Sequence, residues 1–239
     1  EAEKLSALGE LSAEVAHEIK NPLVSIGGFA RRLKDKISLI SVGAQEHGDC
    51  DAAMNYSNII VAEVQRLENM LKNILIYSKT GRLDLEEHSL YDLVSDVVNM
   101  FQSGLFNRNI TFRRNYTNDI EPIYLDYQKM KQVLINLFHN AIESMPHGGE
   151  LVVSIYAETK ETATISIKDT GGGIPPEVFA NIFNPFFSTK GSGTGLGLSI
   201  CRKILEMHAG EILIENNVGS GVTVFINLPL QKVCDYTSK

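Results

Sequence analysis

The stretch NPFFSTKGSGTGLGLS, residues 184–199, places four glycines at every second position directly before the start of an apolar helix. These glycines are Gly191, Gly193, Gly195 and Gly197. Glycines leave the neighbouring backbone N–H groups unshielded, and N–H groups at a helix N-terminus favour a bound anion. We therefore predict that this loop binds the phosphates of a polyphosphate ligand.

The loop differs from two common nucleotide-binding patterns. It contains no Gly-Lys pair, which excludes G-x-x-x-x-G-K-[ST], and the third glycine of G-x-G-x-x-G would fall on Leu196 or Leu198. The chain also lacks the H-R-D and D-F-G triplets, which excludes the kinases that phosphorylate Ser, Thr or Tyr. Neither pattern therefore accounts for the loop.

A second glycine-rich segment, Asp169-Thr170-Gly171-Gly172-Gly173, follows a predicted strand. Three consecutive glycines let the backbone approach a flat ligand closely. The carboxylate of Asp169 can accept a hydrogen bond from the exocyclic amine of adenine. We interpret this segment as the binding site for a nucleobase, and a tight turn with a solvated aspartate is the alternative.

Two asparagines, Asn136 and Asn140, lie one turn apart on a predicted helix. Their amides project from one face, while Leu137 and Ile142 face the core. Amide oxygens suit a hard cation such as Mg²⁺, which also bridges to phosphates. The pair therefore indicates a magnesium site, and capping or solvated asparagines are the alternative.

A reactive side chain lies near the N-terminus, in AHEIKNP, residues 16–22. A neutral, exposed imidazole is a nucleophile, and the neighbouring Glu18 can take the ring proton that leaves as His17 attacks. Pro22 has no N–H for the carbonyl of Glu18, so we expect the helix to kink or loosen there. A zinc-protease H-E-x-x-H site is excluded because Asn21 replaces the second histidine. By itself, His17 is also compatible with an ordinary surface histidine.

The first third of the chain has the periodicity of two long helices. Apolar residues recur at steps of three and four over residues 5–37, and over residues 60–78 the steps alternate strictly between four and three. Joined by a loop around residues 41–51, these helices form a hairpin that does not cover both apolar stripes. We therefore predict a homodimer that forms a four-helix bundle.

Beyond residue 81, helical patterns alternate with short segments typical of strands. Strands are expected at residues 110–116, 151–156, 165–168, 212–214 and 222–228, and helices near residues 90–101, 130–145 and 196–208. This interleaving predicts an α/β sandwich in which helices cover one sheet. We assign residues 1–82 to the helical hairpin and residues 85–239 to the α/β domain.

The composition excludes several classes of protein. The 239 residues carry a formal charge of −7, which gives no basic surface for nucleic acid. Three cysteines without C-x-x-C spacing favour neither a disulfide framework nor a cysteine zinc site, and indicate a reducing, cytoplasmic compartment. No apolar run is long enough to span a membrane, so we expect membrane attachment only through a segment upstream of this sequence.

Taken together and in order, the motifs resemble those of the two-component sensor histidine kinases. The matching segments are the H box at residues 17–23, the N box at 136–140, the G1 box at 169–173, the F box at 185–187 and the G2 box at 193–197. Residues 1–80 resemble the dimerisation and histidine-phosphotransfer domain of that family. The rest is similar to the Bergerat-type ATP-binding domain of the gyrase, Hsp90, histidine-kinase and MutL superfamily, and within the family the nitrogen-regulation type is most similar.

This resemblance implies a role for each matching residue. His17 takes the γ-phosphoryl group of ATP with Glu18 as its base, and Asn21 positions the water that dephosphorylates the partner in the reverse activity. Asn140 binds Mg²⁺, and Asp169 binds the adenine amino group. The other implied ATP-binding residues are Asn136, Gly171, Gly173, Lys190, Gly193, Thr194, Gly195, Leu196, Gly197 and Thr223. The implied partner is the receiver domain of a response regulator, whose aspartate accepts the phosphoryl group.

One departure and two other functions stay open. Many family members carry a basic residue at the position of Glu143, so we expect Lys190 to supply that cation. The chain could instead be a non-catalytic scaffold that binds nucleotide or dimerises. It could also be an ATPase of the same superfamily, in which His17 would have no role. Phosphorylation within one subunit and phosphorylation across a dimer are both compatible with this sequence.

Overall fold

The structure is a computed structural model that describes residues 2–41, 49–78, 82–117, 120–157, 159, 161–189, 195–217 and 219–230. The chain divides into two compact units, Glu1–Ser78 and Lys79–Lys239. Within the described residues, no helix is both long and apolar enough to cross a lipid bilayer.

The first unit is a hairpin of two long helices, α1 (Ala2–Ser41) and α2 (Asp49–Ser78), which pack along each other. The rings of Phe29 on α1 and Tyr56 on α2 contact each other with centroids 5.8 Å apart. Helix α1 continues without interruption through Pro22, whose ring is buried. Several large apolar side chains of the hairpin are exposed in the single chain: Leu23, Val24, Ile37, Met54, Val61, Val64 and Leu71.

The second unit contains four helices and seven strands among its described residues. In chain order these are β1 (Glu86–His88), α3 (Leu90–Asn107), β2 (Ile110–Tyr116), β3 (Ile123–Leu125), α4 (Tyr127–Glu143), β4 (Gly149–Ala157), β5 (Thr162–Asp169), α5 (Pro176–Phe179), α6 (Gly197–Met207), β6 (Glu211–Asn217) and β7 (Gly221–Pro229). Five strands form one sheet in the order β2-β4-β5-β7-β6. Strand β2 is parallel to β4, and the other neighbours are antiparallel.

Helices α3, α4 and α6 cover one face of this sheet. The core includes Leu93, Phe138 and Ile200 on the helices and Ile155 and Ile165 on the strands, and all five are at most 1% exposed. Strand residues that alternate with the buried ones point to the other face, where Leu213 is 49% exposed. The architecture is therefore a helical hairpin followed by a two-layer α/β sandwich, which confirms the predicted fold class.

Two of these helices, α4 and α6, run in opposite directions. The C-terminal end of α6 meets the N-terminal end of α4, where the backbone N–H of Asp126 donates to His208 Nε2 over 3.0 Å. At the other end, the side chain of Asn136 meets Gly197, the first residue of α6. The last turns of α4, the first turn of α6 and the end of β5 therefore lie at one edge of the sandwich.

Candidate active site

The site is built around Asp169, the last residue of β5. Its side chain is among the few buried polar ones in the described part of the chain, with 5% of its surface exposed. Carboxylate oxygen Oδ1 accepts a hydrogen bond from the backbone N–H of Gly171 over 2.8 Å. The hydroxyl of Ser144, which directly follows α4, lies 3.0 Å from the same oxygen. The carboxylate is therefore held between the glycine turn and the end of α4.

Two glycines allow close packing of the chain around Asp169. A Cβ atom at Gly171 would lie 2.3 Å from Ser144 Oγ, and one at Gly221 would lie 2.0 Å from the carbonyl oxygen of Asp169. Gly221 also has a φ of +96°, a conformation that side chains disfavour. The turn is further tied to the start of β7 because Gly219 donates to the carbonyl of Gly172 over 2.9 Å. Gly173 lies in this turn with a φ of +76°.

The two asparagines lie on α4 as predicted, and both are half-buried. The amide of Asn136 donates to the carbonyl of Gly197 over 3.4 Å and lies 3.8 Å from Cys201 Sγ. Burial raises the pKa of the Cys201 thiol to about 12, so that side chain stays neutral beside the amide. Asn136 thus connects α4 to α6, and Asn140 lies one turn further towards Asp169.

Among the described residues, the first turn of α6 has no side-chain cap at its N-terminus. Its N-cap residue, Leu196, makes no side-chain hydrogen bond to the first N–H groups of the helix and is itself fully buried. Gly195 packs against the backbone of Phe186, since a Cβ atom there would lie 2.2 Å from the Phe186 carbonyl carbon. Uncapped N–H groups at a helix start carry a partial positive charge and favour anions.

The segment before the glycine-rich loop is also attached to α6. The guanidinium carbon of Arg202 lies 3.8 Å from the centre of the Phe183 ring, which indicates a cation–π contact. The predicted loop residues Lys190, Gly191, Gly193 and Thr194 lie outside the described residues.

The strand register corrects the prediction for Thr223. Thr223 pairs with Lys168 on β5 and with Glu215 on β6. Paired residues share a face of the sheet and consecutive residues alternate, so Thr223 and Asp169 lie on opposite faces. Val222, which is 8% exposed, shares the face of Asp169. The prediction that Thr223 contacts the same ligand as Asp169 therefore conflicts with the strand register.

The H-box residues lie in the first unit. His17 and Glu18 belong to α1, and their side chains fall outside the described ones. The side chain of Asn21, one turn further along the same helix, is exposed. Sequence reasoning did not identify Ser144 as part of the site, because nothing in its local pattern indicates contact with Asp169.

Two family models match the chain. The His Kinase A (phospho-acceptor) domain matches residues 7–82. The histidine kinase-, DNA gyrase B- and HSP90-like ATPase matches residues 125–232.

Curated relatives match nearly the whole chain. Sporulation kinase C of Bacillus subtilis (strain 168) is 37% identical over 232 residues, which cover 97% of this chain and 51% of that protein. Sporulation kinase E of the same organism is 35% identical over 231 residues, which cover 97% of this chain and 30% of that protein. The chain therefore spans about half or less of the length of these relatives.

Solved structures match as well. The histidine kinase ThkA, solved in complex with the response regulator protein TrrA, has a TM-score of 0.78 and 37% identity, covering 96% of this chain and 64% of that one. The catalytic domain of ThkA alone has a TM-score of 0.56 and 36% identity, covering 62% of this chain and 96% of that one.

Proposed function

This chain belongs to the histidine kinase family, and we propose that it phosphorylates His17 with ATP and passes the phosphoryl group to a response regulator. One observation carries the proposal. A phospho-acceptor domain that contains His17 precedes, in the same chain, an ATPase-type domain with a buried aspartate at the end of β5. A scaffold has no need of both features together.

We assign the two ends of the nucleotide to different parts of the second unit. Asp169 accepts a hydrogen bond from the adenine amino group, and the turn at Gly171 lets the base approach the backbone. The first turn of α6, which has no side-chain cap, lies towards the phosphates with Gly195, Leu196 and Gly197. Lys190, Gly193 and Thr194 extend this phosphate site in the proposal.

We also assign a Mg²⁺ site to Asn140. Its amide oxygen is a hard ligand, and Asn136 on the same face of α4 contacts the α6 turn that is suited to phosphates. When bound, Mg²⁺ would neutralise part of the charge on the phosphates. The role of Asn136 is to hold α6 in place beside this ion site.

The chemistry at His17 consists of two successive phosphoryl transfers, first from ATP to His17 and then from His17 to the regulator. One ring nitrogen of His17 attacks the γ-phosphorus, an N–P bond forms, the bond from that phosphorus to the bridging oxygen breaks, and ADP leaves. The proton on the other ring nitrogen passes to Glu18. In the second step an aspartate oxygen of the regulator takes the phosphoryl group, the N–P bond breaks, and His17 regains a proton. In the reverse activity, Asn21 positions the water that hydrolyses the aspartyl phosphate.

The proposed assembly is a homodimer. Leu23, Val64 and Leu71, all on the hairpin, are between 40% and 53% exposed in the single chain. Covering such side chains in a four-helix bundle removes apolar surface from water. The response regulator is the second partner, and we place the chain in the cytoplasm because its substrate is ATP.

The test is to incubate the chain with γ-labelled ATP and Mg²⁺ and to follow the label on the protein. We expect label that is labile in acid and stable in alkali, because protonation of a phosphoramidate nitrogen makes it a good leaving group. His17→Gln should remove the label, whereas His147→Gln, which changes an exposed histidine on a turn, should retain it. Label that persists in His17→Gln would contradict the assigned nucleophile.

The same experiment distinguishes the ATPase alternative. Sustained release of phosphate without any labelled protein would support an ATPase of the same superfamily. Failure of the chain to bind ATP in the presence of Mg²⁺ would support a scaffold.

A further inference from the structure

We propose that Ser144 is a positioning residue that orients the carboxylate of Asp169 for the amino group of adenine. This inference rests on the proposed function, in which Asp169 recognises the nucleobase. Ser144 itself touches neither the phosphates nor the reacting atoms in this assignment.

The first support is the pair of contacts that Ser144 makes. Its hydroxyl oxygen lies 2.7 Å from the carbonyl of Ala141 and 3.0 Å from Oδ1 of Asp169. A hydroxyl has one proton, so these two acceptors compete for it. The ionised carboxylate is the stronger acceptor of the two, because a hydrogen bond to a charged group exceeds one to a neutral group.

The second support is that two donors converge on one oxygen of the carboxylate. Oδ1 of Asp169 receives the N–H of Gly171 over 2.8 Å in addition to the Ser144 hydroxyl. Donors from two directions define the rotation of the carboxylate group about its bond to Cβ. The binding of a ligand that requires one orientation of this carboxylate therefore depends on both donors.

The third support is that the turn is shaped around Ser144. A Cβ atom at residue 171 would lie 2.3 Å from Oγ, 2.7 Å from Cβ and 2.7 Å from the carbonyl oxygen of Ser144. A Cβ atom at the adjacent Gly172 would meet nothing within 4 Å. The close approach is therefore specific to the residue that faces Ser144.

Its position also gives Ser144 a link to the metal end of the site. Ser144 lies one helical turn after Asn140 and terminates α4, and its backbone N–H donates to the carbonyl of Asn140 over 3.1 Å. The same short segment thus positions the base-recognising carboxylate and the amide assigned to Mg²⁺. Displacement of this helix end would alter both ends of the nucleotide site together.

The test measures binding of two nucleotides by titration calorimetry with Mg²⁺: ADP, and purine riboside diphosphate, which has hydrogen in place of the amino group. Neither nucleotide can phosphorylate His17. For Ser144→Ala we expect binding of ADP to weaken about tenfold, the size of a lost hydrogen bond to a charged group. The dissociation constant of purine riboside diphosphate should change by less than about twofold in the same variant.

A purely structural role would weaken both nucleotides equally, and that result would overturn the inference. Unchanged binding of ADP would overturn it as well. The matched control is Thr164→Val, which removes another buried hydroxyl from β5, one that donates to Asn227 Oδ1 over 2.8 Å on the opposite face of the sheet. This control should leave the ratio of the two affinities unchanged.

A third variant separates this inference from the proposed function. Asp169→Asn should weaken ADP selectively, and adding Ser144→Ala to it should cause no further selective loss. If Asp169→Asn is selective and Ser144→Ala is not, the inference is wrong and the proposed function stands. If Asp169→Asn does not distinguish the two nucleotides, the adenine assignment itself fails.

Discussion

A single buried histidine makes the stability of the second unit depend on pH. His208 is 3% exposed; its Nε2 accepts from the N–H of Asp126, and its Nδ1 lies 2.7 Å from the carbonyl of Ile204. These contacts require a neutral ring that is protonated on Nδ1. Burial lowers the pKa of His208, although the carbonyl of Ile204 and Asp126 act in the opposite direction.

We therefore expect the free energy of unfolding to fall as the pH drops from about 7 to about 5. The unfolded chain takes up a proton near the ordinary histidine pKa of about 6.5, whereas the folded chain takes it up only at a lower pH. Stability from the neutral form is thus complete above about pH 6.5 and declines below it. Urea unfolding at several pH values measures this, and His208→Phe should be less stable at pH 8 but should show a shallower decline. An equally steep decline in that variant would assign the effect to other groups.

Asn136 provides a prediction about the contact between α4 and α6. Asn136→Asp replaces the donor to the Gly197 carbonyl with a carboxylate that repels it. We expect a loss of about 1 kcal/mol in the free energy of unfolding, the usual net value of one hydrogen bond, because both partners are half-buried. Thermal unfolding checks this, with Asn99→Asp on the exposed side of α3 as the control that adds the same charge. Equal melting temperatures for the two variants would contradict the role of Asn136.

Residue types and spacings predicted the members of the candidate site that belong to local motifs. They did not predict the contacts that depend on how distant segments pair. Asp169 and Asn140 were predicted as site residues because an acid before three glycines and a pair of amides one turn apart are local patterns. Ser144 was not, because its contact with Asp169 spans 25 positions in the sequence. Thr223 was misplaced because the face of a strand residue depends on the pairing of β5 with β7, and an error of one residue reverses it.

Among the elements, the glycine turn after β5 offers a sharp comparison of two neighbouring residues. Gly171→Ala would place a Cβ atom against Ser144, whereas Gly172→Ala would meet open space. We expect Gly171→Ala to weaken the binding of ADP by more than about tenfold, since the turn and the carboxylate must both shift. Gly172→Ala should bind within about threefold of the parent chain. Equal effects in the two variants would show that the close approach to Ser144 is unimportant.

The length of an element decided whether it was predicted from the sequence. All five strands of the main sheet and helices α3, α4 and α6 were anticipated, because each is long enough for its apolar residues to show a strand or helix pattern. The expected helix over residues 90–101 continues to Asn107 in the structure. Strands β1 and β3 have three residues each and α5 has four, so none shows a full period. These short elements depend on tertiary contacts, such as the pairing of Glu87 with Tyr124.

At the scale of the whole molecule, the open issue is how the hairpin covers its apolar surface. Leu71 is 50% exposed and Val64 is 40% exposed, although both lie on the regular seam predicted for α2. Fully burying one such side chain contributes about 1.5–3 kcal/mol, and a twofold interface buries each of them twice. Association of two hairpins is therefore the expected source of stability for this unit.

We expect sedimentation equilibrium of the chain at micromolar concentration to give the mass of a dimer. Leu71→Glu should shift the equilibrium towards monomer, because two copies of a desolvated carboxylate would face an apolar seam. Met100→Glu is the matched control, since this methionine is 60% exposed but lies on α3 in the second unit. The Met100→Glu variant should keep the mass of the dimer, and both variants should bind ADP as the parent chain does. A monomer for the unmodified chain would contradict the four-helix bundle, whereas dissociation caused by Met100→Glu would move the interface to the second unit.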